Sequence, residues 1–229
     1  MAKKVKKTRK ELLNEPDEFI TLSSRLIRLA IEYRTQITYS LGIILALAVI
    51  FSGIRFFSIR SEKNASALLG KSLRNYEALK DEKDPIEVYQ EVSEDFQIIL
   101  KKYGGKENGK LARLIYANIC YNAGKYKQAV ELYQTSLKDF EKHPMIQNQI
   151  LSSLGYAYEK LEDLSSAVSY FEKISGAPEP TLRDDALYQL GWLYDKLGQN
   201  EKSEAVFNKI LSDHQDYIYI NLVKERISG

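Results

Sequence analysis

The chain has little of the chemistry on which enzymes and metalloproteins depend. Its 229 residues include one cysteine and two histidines. Because Cys120 is the only cysteine, the chain cannot form an intramolecular disulfide. Cys120 falls at a position expected in the core, where a cysteine acts as a small apolar side chain and not as a nucleophile. His143 and His214 have no nearby cysteine or paired carboxylates, so the spacing of metal ligands is missing. We therefore expect a protein that is not an enzyme, with no catalytic residue, no metal site and no cofactor.

Motifs for nucleotides and nucleic acids are incomplete as well. Gly70-Lys71-Ser72 matches the end of a phosphate-binding loop, but Ala65 replaces the first glycine and no strand is predicted before it. That loop needs its glycine-rich backbone to cradle phosphate, so we attribute the match to chance. The basic residues near the N-terminus lack interleaved aromatic residues. We expect neither nucleic acid nor a small-molecule substrate as a partner.

Charge is missing from one stretch of twenty residues, Thr35 to Ile54. At a helical rise of ~1.5 Å per residue it spans ~30 Å, the thickness of the hydrocarbon core of a bilayer. The sequence therefore predicts a single-span membrane anchor over residues 35–57. A buried core helix and a cleaved signal peptide are the alternatives. A signal peptide places its small-residue cleavage site after the apolar run, whereas Ala46-Leu47-Ala48 lies inside it.

The head, residues 1–34, is basic, with nine Lys and Arg against five acidic residues. The positive-inside rule then predicts a cytoplasmic head and an external body. The segments that directly flank the span favour the opposite orientation, since within ~20 residues three basic residues precede the span and five follow it. Residues 2–10 form either a solvated tail or a segment that binds an anionic leaflet. After Pro16, apolar residues at helical spacing favour an amphipathic interfacial helix or an extension of the anchor.

The rest of the chain contains an internal repeat. Three stretches align with identical offsets, at steps of 38 and then 36 residues. The first contains Tyr116, Ala117, Cys120, Gly124, Tyr126, Ala129, Tyr133 and Leu137; the second contains Leu154, Gly155, Tyr158, Glu162, Leu164, Ala167, Phe171 and Ser175; the third contains Leu190, Gly191, Tyr194, Gly198, Asn200, Ser203, Phe207 and Leu211. Self-similarity at such a period predicts a stack of similar units.

These residues resemble the tetratricopeptide repeat, a 34-residue unit of two antiparallel helices, A and B. In that family small residues occupy positions 8 and 20 and a bulky aromatic residue occupies position 24. The resemblance implies that the small residue on helix A lets the backbone of helix B approach, and that the aromatic residue fills the space between units. The family usually has Leu-Gly at positions 7 and 8 and Tyr at position 11, whereas the first copy has Ala117 at position 8 and Cys120 at position 11. The third copy has Ser203 at position 20, and the usual proline at position 32 is absent from all three copies. The implied fold is all-α, with a single transmembrane helix before an α-solenoid.

Turn and flanking residues complete this organisation. Gly124 and Gly198 stand where helix A ends in a left-handed residue. The prolines at 144, 178 and 180 are placed in loops between repeats, and Thr181 with Asp184 resembles an N-cap signal. Residues 58–108 are predicted to hold two membrane-proximal helices of a degenerate repeat, about 61–79 (continuous with the anchor) and 85–103, with linkers at 80–84 and 104–109. Residues 109–229 hold three repeats and a capping helix over 216–227 that covers the apolar end.

The resemblance also implies a protein-binding groove, which positions 2, 5, 9, 12 and 13 of helix A line in the family. The candidate partner-binding residues are Leu114, Asn118, Tyr121, Asn122, Ser152, Tyr156, Glu159, Lys160, Tyr188, Trp192, Asp195 and Lys196. Tyr and Trp dominate binding hot spots, although packing between helices is an alternative role for them. A clamp for chaperone C-terminal carboxylates is not predicted, because Leu114, Asp185 and Gln189 stand where the family's clamp has basic residues.

As a whole, the chain resembles the bacterial inner-membrane tetratricopeptide proteins that serve as ancillary subunits of the Sec translocon. The resemblance implies a scaffold in the periplasm that docks a translocon subunit, a chaperone or a nascent chain. A scaffold for another kind of cell-envelope assembly would share every feature used here. An organellar import receptor with a cytosolic repeat domain is a third alternative.

Overall fold

A computed structural model describes residues 18–213 and 217–228, with side chains over 23–213 and 217–227. Within these ranges every regular element is an α-helix. The helices are α1 (Glu18–Glu32), α2 (Arg34–Leu79), α3 (Pro85–Tyr103), α4 (Glu107–Asn122), α5 (Tyr126–Asp139), α6 (Pro144–Lys160), α7 (Leu164–Ile174), α8 (Pro180–Lys196), α9 (Asn200–Asp213) and α10 (Ile220–Ser228). The chain divides into two compact units, residues 1–59 and 60–229. The predicted all-α fold is confirmed.

The first unit contains α1 and the apolar part of α2. Its large apolar side chains are exposed, with Leu41, Ile44 and Phe51 at 56%, 60% and 68%. Among the described residues, α2 is the one helix long and apolar enough to cross a membrane by length and composition, and none of its most apolar window is buried. Such exposure does not match a helix in the core of a protein.

Helices α1 and α2 are separated only at Tyr33. Its amide donates to the Leu29 carbonyl, and the Ile37 amide donates to the Tyr33 carbonyl, both at 2.9 Å. Helical hydrogen bonds therefore cross the junction, and α2 continues from the apolar stretch to Leu79 as predicted. The interfacial location of α1 stays a prediction, and the basic tail at residues 2–10 lies outside the described residues.

The second unit is a row of helices in which each helix from α3 to α10 packs against the next. The first core cluster contains Leu69 of α2, Val92 and Phe96 of α3, and residues of α4, α5 and α6. A second cluster joins α7 to α8, and a third joins α8 and α9 to the C-terminal segment. Helices α4, α6 and α8 correspond to helix A of the three predicted repeats, and α5, α7 and α9 correspond to helix B.

The turn from helix A to helix B takes the same conformation in all three repeats. Gly124, Glu162 and Gly198 have φ angles of 70°, 62° and 69°. The sequence predicted a left-handed residue at the two glycines. In the second repeat Glu162 adopts that conformation with a side chain attached, and a left-handed residue other than glycine costs about 1–2 kcal/mol.

The glycines at position 8 are needed for close packing, but for a different reason from the one expected. A Cβ on Gly155 would lie 2.6 Å from the Phe171 ring, and a Cβ on Gly191 would lie 2.5 Å from the Phe207 ring. The nearest neighbour is thus the position-24 ring of the same repeat and not the backbone of helix B. In the third repeat, the Ser203 hydroxyl at position 20 is accommodated because it donates to the Gly191 carbonyl at 2.8 Å.

Two predicted helix starts were wrong. Helix α4 begins at Glu107, inside the predicted linker 104–109, because the carboxylate of Glu62 accepts hydrogen bonds from the Glu107 and Asn108 amides at 3.2 and 2.8 Å. Thr181 is not an N-cap, since α8 begins one residue earlier at Pro180. Proline suits a first helical position, where its missing N–H is not required, and Pro144 opens α6 in the same way.

The capping helix is shorter than predicted. Helix α10 begins at Ile220, and Asp216, the expected first residue, lies outside the described residues. Tyr217 and Val223 are buried in the third core cluster together with Phe207. The C-terminal segment therefore covers the last repeat, as predicted.

Candidate protein-binding groove

The twelve candidate residues lie on α4, α6 and α8, and we call them the groove face. Within this set, Leu114, Tyr121, Ser152, Tyr156, Glu159, Tyr188 and Asp195 are half-buried, and Asn118, Asn122, Lys160, Trp192 and Lys196 are exposed. None is fully buried, so each retains some surface that a partner can reach.

Helices α6 and α8 are joined directly within the groove face. Lys196 Nζ lies 2.6 Å from Glu159 Oε1. Tyr156 lies beside Asp185 and Gln189 of α8: burial raises the pKa of Tyr156, the negative charge of Asp185 raises it further, and a hydrogen bond with Gln189 opposes both effects. The side chains of two successive repeats thus form one continuous surface.

Helix α4 contributes to the same surface through Tyr121. Burial raises the pKa of Tyr121, and the neighbouring Tyr126 and the charge of Glu159 add to that shift. Glu159 of α6 therefore faces Tyr121 on one side and Lys196 on the other. A neutral tyrosine hydroxyl beside a carboxylate suits recognition of hydrogen-bonding groups on a partner.

Some residues of the groove face also support the fold. Leu114 packs against the first core cluster. Asn118 accepts a hydrogen bond from the Tyr133 hydroxyl at 2.7 Å through its Oδ1 atom. The Tyr156 ring meets the edge of Phe171 with centroids 5.1 Å apart. The predicted alternative, packing between helices, therefore applies to part of each of these side chains.

In the third repeat the C-terminal segment contacts the groove face. The Tyr188 ring lies 5.9 Å from Tyr217 and 5.8 Å from Tyr219. Arg226 lies over the Trp192 ring at 5.7 Å and donates from Nη2 to Asp195 at 2.5 Å. The sequence predicted a cap but not these contacts, because they depend on where α10 lies in space.

Two residues of this surface were missing from the candidate set. Asp185 accepts a hydrogen bond from the Tyr217 hydroxyl at 2.9 Å, and its charge raises the pKa of Tyr156. Gln189 forms a hydrogen bond with Tyr156 that lowers this pKa. Asp185 occupies position 2 of its repeat, so the rule for lining positions could have found it. Gln189 occupies position 6, which that rule does not include.

The structure places the remaining chemical candidates in structural roles. Gly70-Lys71-Ser72 lies inside α2, so no phosphate-binding loop is present there. Cys120 is buried, and burial raises the pKa of its thiol to about 12, which keeps it neutral. Over the described residues, no three His, Cys, Asp or Glu side chains are close enough together to hold a metal ion. His214 lies outside these residues.

Comparisons with known proteins agree with this geometry. Residues 149–177 and 184–212 match the sequence model of the tetratricopeptide repeat. A tetratricopeptide-repeat protein from Parabacteroides merdae is similar at 21% identity and a TM-score of 0.54, over 69% of this chain and 58% of that one. A putative kinesin light chain from Podospora anserina with nearly identical repeats is similar at 13% identity and a TM-score of 0.52, over 71% of this chain and 82% of that one. No curated protein sequence matches significantly.

The chain therefore has a tetratricopeptide-repeat fold, an all-α solenoid. It spans about 58% of the length of the Parabacteroides structure.

Proposed function

We propose that this protein is a single-span membrane scaffold whose repeat unit, residues 60–229, binds a protein partner on the groove face. The uncharged stretch from Thr35 to Ile54, in which every residue except the half-buried Gly53 is exposed, supports the membrane span. The observation that carries the binding proposal is the position of Glu159, which links Tyr121, Tyr156 and Lys196 into one partly exposed surface across three repeats.

We place the head in the cytoplasm and the repeat unit in the periplasm of a bacterial cell. The basic head supports this orientation through the positive-inside rule. The resemblance to ancillary translocon subunits supports a partner at the Sec translocon, such as a translocon subunit, a chaperone or a nascent chain. A scaffold in another cell-envelope assembly would use the same surface.

One observation favours a reversed orientation with a cytosolic repeat unit, as in an organellar import receptor. Five basic residues follow the span within ~20 residues, and three precede it. The groove-binding proposal does not depend on which orientation holds.

A photocrosslinking experiment tests the groove. A photoreactive amino acid replaces Lys160, an exposed groove residue, in the full chain inside cells, and the captured protein is identified. We then expect Tyr156→Ala to lower the yield of that adduct about thirtyfold, since truncating a hot spot costs ~2 kcal/mol or more.

The matched control is Tyr158→Ala on the same helix. Two residues apart on a helix point to opposite sides, and the Tyr158 ring stacks on Tyr170 at 5.3 Å away from the groove face. Both variants lose the packing of one tyrosine ring, so both lose some stability. If the two variants retain their helical circular dichroism and equal adduct yields, the groove face is not the binding surface.

A further inference from the structure

Two segments of the repeat unit, residues 60–63 and 101–110, meet where α4 begins, and we call their six basic residues the basic collar. They are Arg60, Lys63, Lys101, Lys102, Lys106 and Lys110. Arg60 and Lys63 belong to α2, Lys101 and Lys102 end α3, Lys106 precedes α4, and Lys110 lies in its first turn. Arg60, Lys63, Lys101 and Lys102 are exposed.

Glu62 brings these segments together. Its carboxylate accepts hydrogen bonds from the Asn108 amide at 2.8 Å and from the Asn108 side chain at 2.6 Å. The charge of Lys106 also acts on Glu62. The loop that carries the collar lysines is thus held against α2 beside Arg60 and Lys63, although it is some forty residues away along the chain.

The collar carries a net positive charge within an otherwise acidic unit. The segments 60–63 and 101–110 contain two acidic residues, Glu62 and Glu107, against the six basic ones. Both acids are engaged, Glu62 by the start of α4 and Glu107 by Lys110 at 2.8 Å. Residues 77–87, around the turn at the far end of α2, show the reverse pattern, with five acidic residues against two basic ones.

The first residues of the collar lie close to the proposed membrane span along the chain. Arg60 and Lys63 follow residue 57, the end of the predicted anchor, by ~5 and ~9 Å of helix. The headgroup layer adds ~5–8 Å to each side of the hydrocarbon core. Chain connectivity therefore keeps this part of α2 at or just beyond the depth of lipid phosphates.

We propose that the basic collar binds anionic phospholipid headgroups and so docks the repeat unit onto the membrane surface. The inference rests on the proposed membrane span. Each Lys or Arg near an anionic surface favours the docked state by about fivefold. The proposal also gives a role to Arg60 and Lys63, two of the five basic residues that follow the span and that the positive-inside rule alone does not predict.

The test uses the full chain in nanodiscs of phosphatidylcholine, alone or mixed with phosphatidylglycerol. A fluorophore is attached at Gly105→Cys, where an added Cβ meets no atom within 4 Å, and its quenching by headgroup-labelled lipid is measured. Native Cys120 is buried and does not compete for the label. We expect stronger quenching with phosphatidylglycerol, and little dependence on lipid for a second probe at Glu82→Cys.

Charge removal provides the matched comparison. Lys101→Ala with Lys102→Ala should lower the ratio of docked to undocked probe by about thirtyfold, whereas Lys127→Ala with Lys209→Ala, an equal loss of charge at exposed sites elsewhere, should leave it unchanged. Equal quenching in both lipids, or equal effects of the two double variants, would overturn the docking proposal while the span stands. Failure of the chain to insert into nanodiscs would overturn the proposed span, and the docking proposal with it.

Discussion

At the scale of single residues, Gly155 decides how closely helix A of the second repeat packs. We predict that Gly155→Ala lowers the free energy of unfolding by about 1–3 kcal/mol, because the added Cβ would lie 2.6 Å from the Phe171 ring. Helix propensity alone predicts the opposite sign, a gain of up to about 1 kcal/mol. Urea unfolding of the protein in detergent micelles measures the difference.

A second glycine in a helix gives the control. A Cβ on Gly70 would meet Arg74 at 3.6 Å, an ordinary contact, so Gly70→Ala should be neutral or stabilising. If both alanine variants gain stability, the close contact between Gly155 and Phe171 is wrong, and the register of the second repeat with it.

At the scale of helices, α4 begins where it does because of Glu62, and this cap depends on pH. Burial raises the pKa of Glu62, but hydrogen bonds from Asn108 and Glu107 outweigh burial and hold the pKa below its ordinary value of 4.5. The ionised carboxylate therefore contributes stability that is fully present above pH 4.5 and is lost as pH falls through the lower, folded-state pKa.

We predict that Glu62→Gln costs about 1 kcal/mol of unfolding free energy at neutral pH, because a neutral amide is a weaker acceptor and the site is partly solvated. The difference from the wild type should shrink as the pH falls below 4.5. Urea titrations across this range measure it, with Glu131→Gln at an exposed site on α5 as the control. A difference that stays constant with pH would rule out the ionised cap.

At the scale of the whole molecule, the proposed membrane span and the basic head predict which side of the membrane carries the repeat unit. Met145 is 71% exposed. In cells whose outer membrane has been permeabilised, we predict that a membrane-impermeant thiol reagent labels Met145→Cys and does not label Ala2→Cys. The reagent should not label Cys120, because its thiol is buried and burial raises the thiol's pKa to about 12. Labelling of Ala2→Cys with protection of Met145→Cys would establish the reversed orientation.

Much of the fold follows from local sequence patterns. The repeat register at Gly155, Ala167 and Phe171, the left-handed turns at Gly124 and Gly198, and the second helix of the degenerate unit were all predicted, and α3 matches its predicted bounds of 85–103. These features depend on residues a few positions apart on the same or adjacent helices, where periodicity and turn chemistry carry the information.

The wrong start of α4 and the missing groove contacts have one physical origin, contacts between residues far apart in the chain, whereas the error at Thr181 is local, because Pro180 opens α8. The start of α4 depends on Glu62, and no rule for local capping could find a partner 46 residues away. The positions of the groove residues within the repeat were predicted, but the contact of Arg226 with Trp192 and that of Gln189 with Tyr156 became visible only in the three-dimensional structure.

Local sequence patterns were therefore enough to predict the helical class, the repeat and the long apolar segment, because hydrophobic periodicity and segment length are properties of short stretches of sequence. The contacts among the groove residues, their contacts with the C-terminal segment, and the meeting of Glu62 with the start of α4 became clear only from the folded structure. Those outcomes depend on how helices pack, and packing sums many weak contacts that no single stretch of sequence contains.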